Sequence, residues 1–445
     1  MPSDPMQFCL FDEALREQAY ELLAHYLGPG YDMKTVGPDG EIKVIRVRGD
    51  VKTIRQCFEM LALQAHTGEP IAYDSFKKEK KRKPDGTSGG YRLILAPQEP
   101  LKGLLRLFKT ELFDRCPMGR SAHGFRSRRS VLTNARLHLE NGSRYALNFD
   151  VKDCFPSTPV YRIEKVLKEA IGRSMYQEGA PREVADMVMK VMSELMTFRY
   201  GRVLDIPALP MGTPASPSMI NLIFRSFDER LLRALRKREA KTGQLIVFSR
   251  YGDDGTLSSA EKLPPELAQL VANLLHNIGY KPNTKKTKWM EAGSHEYPIE
   301  VTGIIVSPDK NRLLLPDDWI KKTERDLIQF IYHPFGNPKS RETQARKIRG
   351  KLNLCRGVYF GGYPVRIANA LRSLNDDPRP FVTDRLWELS GRKRKKDDAR
   401  ENPPIDVDRQ DELEEAEEDF AEDILADGDE AIDENADFEL SPYPY

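Results

Sequence analysis

Residues 249–259 read S-R-Y-G-D-D-G-T-L-S-S, and the placing of Asp253 beside Asp254 decides how the rest of the chain is read. Leu245 to Phe248 are apolar and strand-like, and Thr256 to Ser259 can return as a second strand. The carboxylates then fall at the tip of a tight hairpin, with Gly252 and Gly255 supplying the sharp turn. Adjacent like charges repel, so the pair requires water or a cation. By itself Asp-Asp-Gly reads first as a solvated turn. The sharper reading is half of a divalent-metal site, and residues elsewhere must decide between them.

About a hundred residues upstream, L-N-F-D-V-K-D-C-F (147–155) places Asp150 at the end of an apolar strand running from Tyr145 to Phe149. A strand-end carboxylate and a hairpin pair can converge on two Mg²⁺ ions about 3.5–4 Å apart. The remaining candidate ligands point the same way. Five cysteines are scattered without a Cys-x-x-Cys pair, and seven histidines lack a His-x-x-x-His spacing, so a bound metal is expected to be held by oxygen.

The formal charge of +1 conceals a segregation. From Asp397 onward there are 21 acidic and 2 basic residues, which leaves residues 1–396 near +20. A basic body suits nucleic acid, and the tail, 391–445, reads as basic, then acidic and either disordered or one short acidic helix. No apolar run approaches the roughly 18–20 residues of a membrane span. The N-terminus lacks the pattern of a secretory signal, so a cytoplasmic protein with no membrane partner is expected.

Helical spacing marks residues 8–28 and 52–66 as an N-terminal helical region, and resumes at 99–115, 160–172, 181–197, 217–236, 264–278, 317–332 and 341–356. Strands are expected at 91–97, 145–149 and around the Asp253 hairpin, with a short pair near 299–306 and 311–315. The basic run F-K-K-E-K-K-R-K (76–83) leads into the turn P-D-G-T-S-G-G. Strands in the middle with helices around them make an α+β chain.

Seven blocks in order carry a family resemblance. They are Y-R-L-I-L-A-P (91–97), H-G-F-R-S-R-R-S-V-L-T-N-A-R-L-H (123–138), F-D-V-K-D-C-F-P-S (149–157), L-P-M-G-T-P-A-S-P (209–217), Y-G-D-D (251–254), G-Y-K-P-N-T-K-K-T-K (279–288) and V-T-G (301–303). Across about residues 70–360 the chain resembles a retron-type bacterial reverse transcriptase. The resemblance implies a right-hand polymerase fold with an antiparallel palm sheet. It divides the chain into an N-terminal region (1–66), fingers (67–144), palm (145–298, with a helical insertion about 160–197), thumb and C-terminal helices (299–390) and tail. Intron-encoded or diversity-generating reverse transcriptases are the alternative kinds, and a non-catalytic RNA-binding scaffold is the alternative from another class.

The resemblance also implies roles for residues. Asp150, Asp253 and Asp254, with the Val151 carbonyl, would hold Mg²⁺. Lys286 matches the lysine proposed to protonate leaving pyrophosphate, although a plain basic surface accounts for it equally well. Arg92 would approach the incoming triphosphate, for which a guanidinium is suited. Gly212 and Ser216 would shape the loop near the nucleotide, and Met211 departs from the usual Gln. Phe155 stands where RNA polymerases carry a carboxylate, so its ring should exclude a ribose 2′-hydroxyl and select dNTPs. Arg126, Asn134, His138, Thr302, Gly303, Arg346, Lys347 and Lys351 complete the expected nucleic-acid contacts, although the spacing of Asn134 and His138 on one helix face reads first as a buried, hydrogen-bonded structural pair. Implied partners are a dedicated structured RNA, the RNA–DNA hybrid, dNTPs and an effector protein acting in anti-phage defence.

Overall fold

The computed structural model describes residues 13–36, 42–79, 90–200, 206–294, 297–332 and 338–375. The acidic tail and most of the basic run beyond Glu79 lie outside the described residues.

The N-terminal region is helical at α1 (Glu13–Leu27), but a hairpin of β1 (Tyr31–Val36) and β2 (Ile42–Val47) intervenes before α2 (Val51–Thr67). Asp50 caps α2 by accepting from the Thr53 amide at 2.8 Å, and Gly68 closes it in the left-handed conformation. A second hairpin pairs β3 (Tyr73–Glu79) with β4 (Tyr91–Pro97), placing Lys78 opposite Arg92. Next come α3 (Leu101–Leu107), continued by a π-helical turn to Phe113, and α4 (Val131–Glu140), whose capping box joins Ser130 and Thr133.

The central sheet begins with β5 (Tyr145–Phe149). Helices α5 (Val160–Leu167), α6 (Arg173–Gln177) and α7 (Arg182–Leu195) follow, and then the long α8 (Ser216–Thr242). The sequence reading ended that last helix near Arg236. It continues through a polar run of good helix formers until Gly243 takes φ +73° and stops it. β6 (Val247–Tyr251) and β7 (Asp254–Ser259) form the hairpin, α9 (Glu266–Asn277) crosses, and β8 (Lys288–Glu291) adds an edge strand. The four strands are antiparallel in the order β6-β7-β5-β8.

Three short strands follow where two were expected: β9 (Glu300–Val301), β10 (Ile304–Ser307) and β11 (Arg312–Leu314). The difference lies in Thr302 and Gly303, both at positive φ (47° and 77°), which make a two-residue turn inside the segment read as one strand. Helices α10 (Asp317–Tyr332), α11 (Pro338–Val358) and α12 (Val365–Asn375) complete the described chain.

Two hydrophobic cores share the sheet. Leu147, Phe149, Phe248 and Leu257 join the larger, with α1–α3, α7, α8 and α9. Ala146, Tyr251 and Met290 join the smaller, with α4, β9–β11 and α10–α12. Period-two alternation along β5 thus feeds both cores, which fixes its register firmly. The architecture is α+β with an antiparallel central sheet, as expected.

Candidate active site

The turn between β6 and β7 consists of Gly252 and Asp253, with Tyr251 paired to Asp254. Gly252 has φ +62° at the first central position, the type II′ arrangement that suits twisted hairpins. Asp253 therefore occupies the tip, whereas Asp254 opens β7 rather than sharing the tip with it. On the neighbouring strand Phe149 pairs with Gly255, and extending that register by one brings Asp150 opposite Asp254. The pairing is tight. A Cβ on Gly255 would stand 2.2 Å from Phe149 Cζ, so only glycine lets the ring lie across β7.

Beneath the turn lies a buried network. Arg250, fully buried, donates through Nε to Asp228 Oδ1 at 2.9 Å and through Nη2 to Asp228 Oδ2 at 2.8 Å. Its Nη1 donates to Asn221 Oδ1 at 3.0 Å and to the Gly252 carbonyl at 2.5 Å. Asn221 in turn donates to the Gly124 carbonyl at 2.7 Å, and the Arg250 guanidinium lies 5.0 Å from the Phe224 ring centroid. A planar fork with a bidentate partner is rigid. It clamps α8 to the peptide immediately before Asp253.

The three aspartates are half-buried and mutually repelling. Burial and then the Asp253 charge push Asp150 up to about 7, against the opposing Lys286 charge and a hydrogen bond from Asn283. Lys286 Nζ lies 3.7 Å from Asp150 Oδ2, and Asn283 Nδ2 donates to the same oxygen at 3.1 Å. Burial and Asp253 likewise push Asp254 up to about 7, with the Asn148 side chain opposing. Burial also raises Asp253. Burial lowers Arg92, while Asp253 and Asp150 pull it the other way, so β4 supplies a guanidinium that senses the cluster.

These donors suit a hard cation. They are all oxygen, they carry more negative charge than Lys286 and Arg92 neutralise, and their elevated carboxyls show what a cation would relieve. Among the described residues, no three potential ligands converge closely enough to enclose a metal by themselves. Mg²⁺ is commonly held in this manner, by one or two carboxylates together with substrate phosphates. Val151 is buried and bridges to Pro282.

The loop before α8 presses against β4. The Met211 carbonyl accepts from the Leu95 amide at 2.8 Å, and Gly212 sits at φ +106°. A Cβ on Gly212 would fall 2.7 Å from Ile94 Cγ2 and 2.9 Å from the Leu95 carbonyl. Arg92 and this loop are consequently joined on one side of the aspartates. Ser216 is buried, its hydroxyl donating to the Pro210 carbonyl at 2.7 Å, so it holds the loop's shape from within. Phe155 is 9% exposed at the margin of the larger core.

Five residues expected to touch nucleic acid are engaged inside the protein. His138 is buried, with ring nitrogens 2.5 Å from Ser258 Oγ and 2.7 Å from Ser249 Oγ. Burial pushes it down to about 3, so the imidazole is neutral and ties α4 to β6 and β7. Asn134, also buried, directs Nδ2 toward Thr302 Oγ1 at 3.4 Å across the β9–β10 turn. That turn places Gly303 beside Thr302, which is itself buried. Arg126 Nη1 is occupied by the Gly119 and Ala122 carbonyls at 2.6 and 3.0 Å. Lys351 is buried and paired with Asp326 at 2.8 Å. Arg346 and Lys347, by contrast, stand exposed on α11. Arg250, Asp228, Asn221 and Asn283 were not anticipated.

Comparison with known proteins agrees with this geometry. A family model described as "Reverse transcriptase (RNA-dependent DNA polymerase)" matches residues 78–306. The Retron Mx65 reverse transcriptase of Myxococcus xanthus is 32% identical over 271 residues, covering 60% of this chain and 58% of the relative. The Retron Mx162 enzyme of the same organism is 31% identical over 234 residues, covering 49% and 45%. The Retron Ec86 enzyme of Escherichia coli is 26% identical, covering 57% and 68%. The chain thus spans about half the length of the two Myxococcus relatives. Among solved structures, apo telomerase from Candida tropicalis aligns with 91% of this chain and 71% of its own at 11% identity and a TM-score of 0.38, too loose a match to inform the site. With the family model spanning half the chain and covering the strand, the hairpin and the loops that gather the aspartates, this protein belongs to the reverse transcriptase family.

Proposed function

We propose that the chain is an RNA-directed DNA polymerase of the retron kind, copying a dedicated structured RNA into a short DNA that stays joined to it. The observation that carries this reading is the meeting of Asp150, Asp253 and Asp254 with Arg92 and Lys286 at one end of the central sheet. In this reading the β3–β4 hairpin belongs to the fingers, the four-stranded sheet to the palm and α10–α12 to the thumb. When bound, two Mg²⁺ ions would activate a primer 3′-hydroxyl and neutralise the departing pyrophosphate. The chain's own part is to hold: Asp150 and Asp253 orient the metal-bearing face, Asp254 completes it, and Arg92 binds the triphosphate. Lys286 sits where a proton can be passed to the leaving group. An effector protein and a part in anti-phage defence come to this reading from the retron resemblance.

Phe155 supplies the choice of sugar. Its ring offers the 2′-hydroxyl no hydrogen-bond partner, a loss of about 1–3 kcal/mol before any steric clash. Phe155→Ala should raise incorporation of rNTPs relative to dNTPs by about tenfold or more in single-nucleotide extension. An unchanged ratio would remove Phe155 from the selection.

The reading as a whole is tested on nucleic acid that copurifies when the protein is expressed from its own locus, digested with RNase and then DNase beside an Asp253→Ala control. A discrete short DNA joined to RNA, absent from the control, supports it. RNA alone in both samples, with no extension of added primer–templates, replaces it with a binding scaffold.

A further inference from the structure

Helix α11 ends in a cap whose geometry disfavours the residue it carries. The Tyr359 amide donates to the Cys355 carbonyl at 2.8 Å and the Gly361 amide to the Arg356 carbonyl at 2.6 Å. The second of these is the long bond of a Schellman motif, whose left-handed position is normally glycine. Here Phe360 occupies it, at φ +50°, although Gly361 and Gly362 follow immediately. Burial does not offset the strain, because the ring is 84% exposed. A strained backbone that presents an uncovered aromatic is an arrangement found where ligands bind.

Its surroundings specify the chemistry. The Arg136 guanidinium of α4 lies 5.7 Å from the Phe360 ring centroid. The helices beneath are packed hard together, since a Cβ on Gly357 would stand 2.5 Å from Leu132 Cδ1. Along α11, Arg346, Arg349, Asn353 and Arg356 recur at steps of three and four, within an arc of about 80° that leads to Phe360. All four are exposed or half-buried. Cations in a row favour a polyanion, and a flat apolar face at the end of the row favours a ring.

We infer that Phe360 and Arg136 form a stacking platform for an unpaired nucleobase, with the preceding phosphates running along Arg346, Arg349 and Arg356. The inference rests on the nucleic-acid-binding reading above and adds to it a base contact outside the carboxylate centre. A base–aromatic contact of this type tolerates any sequence, because every base has a π-face.

The test uses the full-length protein and a fluorescent RNA hairpin, either blunt or carrying a single-stranded tail, with a DNA tail as a second arm. Phe360→Ala should weaken tail-dependent binding about tenfold and leave the blunt hairpin unchanged, and Phe360→Trp should retain the wild-type value. Phe360→Gly discriminates further: it should raise Tm by relieving the left-handed strain while weakening tail binding as Ala does. Iodouridine in the tail should photocrosslink to Phe360. The RNA and DNA arms show which strand the platform serves. A Phe360→Gly protein that is more stable yet binds the tail with wild-type affinity overturns the inference, as does equal weakening of blunt and tailed hairpins. Failure of the wild-type protein to extend an annealed DNA primer in the same preparation overturns the polymerase reading instead.

Discussion

Asp150→Asn is expected to abolish templated extension and at the same time to stabilise the metal-free protein. Loss of one charged ligand from the cluster forfeits several kcal/mol of transition-state stabilisation, a fall of about a thousandfold or more in rate. Stability moves in the opposite direction because Asp150 is raised from the ordinary carboxylate range to about 7. A carboxyl with an elevated folded-state value contributes fully below its unfolded value, and that contribution is lost as pH rises through about 7. In EDTA the wild-type protein should therefore lose stability between about pH 4 and 7. At pH 8 Asp150→Asn should unfold at a higher temperature, by about 3–5 °C. Added Mg²⁺ should raise Tm for the wild type and much less for the variant. Thermal scans at pH 5 and 8, with and without Mg²⁺, measure each of these. A variant less stable than wild type at pH 8 in EDTA would mean that Lys286 and Arg92 already compensate the cluster.

Asp228→Ala should be the most damaging single change away from the aspartates. It leaves the fully buried Arg250 guanidinium without its bidentate counter-charge, with only the neutral Asn221 and Gly252 acceptors remaining, and breaking such a pair costs about 3–5 kcal/mol. That is a large part of the stability of most domains. The double replacement Arg250→Met with Asp228→Leu removes both charges and should recover most of the lost stability. It should not recover extension, because the Gly252 carbonyl loses its donor and α8 is no longer tied to the turn carrying Asp253. Denaturant unfolding and primer extension on the same preparations separate the two effects. If extension returns together with stability, the network serves packing alone.

The three aspartates were legible because strand-end and turn chemistry are local: Asp150 follows an apolar run, and the doublet sits between glycines. Helix α10 was also legible, its apolar spacing giving Asp317–Tyr332 directly. The Arg250 network was hidden for the opposite reason. An arginine between Ser249 and Tyr251 reads as a cation on a strand, while its partners lie 22 and 29 residues upstream on α8. Only the packing of α8 under the hairpin makes it buried. Asn134 and His138 were rightly placed on one helix face, but spacing does not say which face turns inward. Lys351 was misread against information already present. Five residues along a helix is a rotation of about 140° from Arg346, so the two could not line one phosphate track. The β1–β2 hairpin was missed although Y-D-M-K-T-V (31–36) alternates and I-K-V-I-R-V (42–47) is rich in β-branched residues, because two short strands between helical patterns were not weighed against the helices on either side.

The sharing of β5 between two cores has a mechanical consequence. Four of its five residues are paired on both edges and the strand is wedged on both faces, so it cannot shift or fray without loosening packing on each side at once. A slip of one residue would turn every side chain to the wrong layer. The floor on which the aspartates stand is accordingly stiff, an anvil rather than a hinge. Any motion that the proposed copying reaction requires is therefore expected outside this strand.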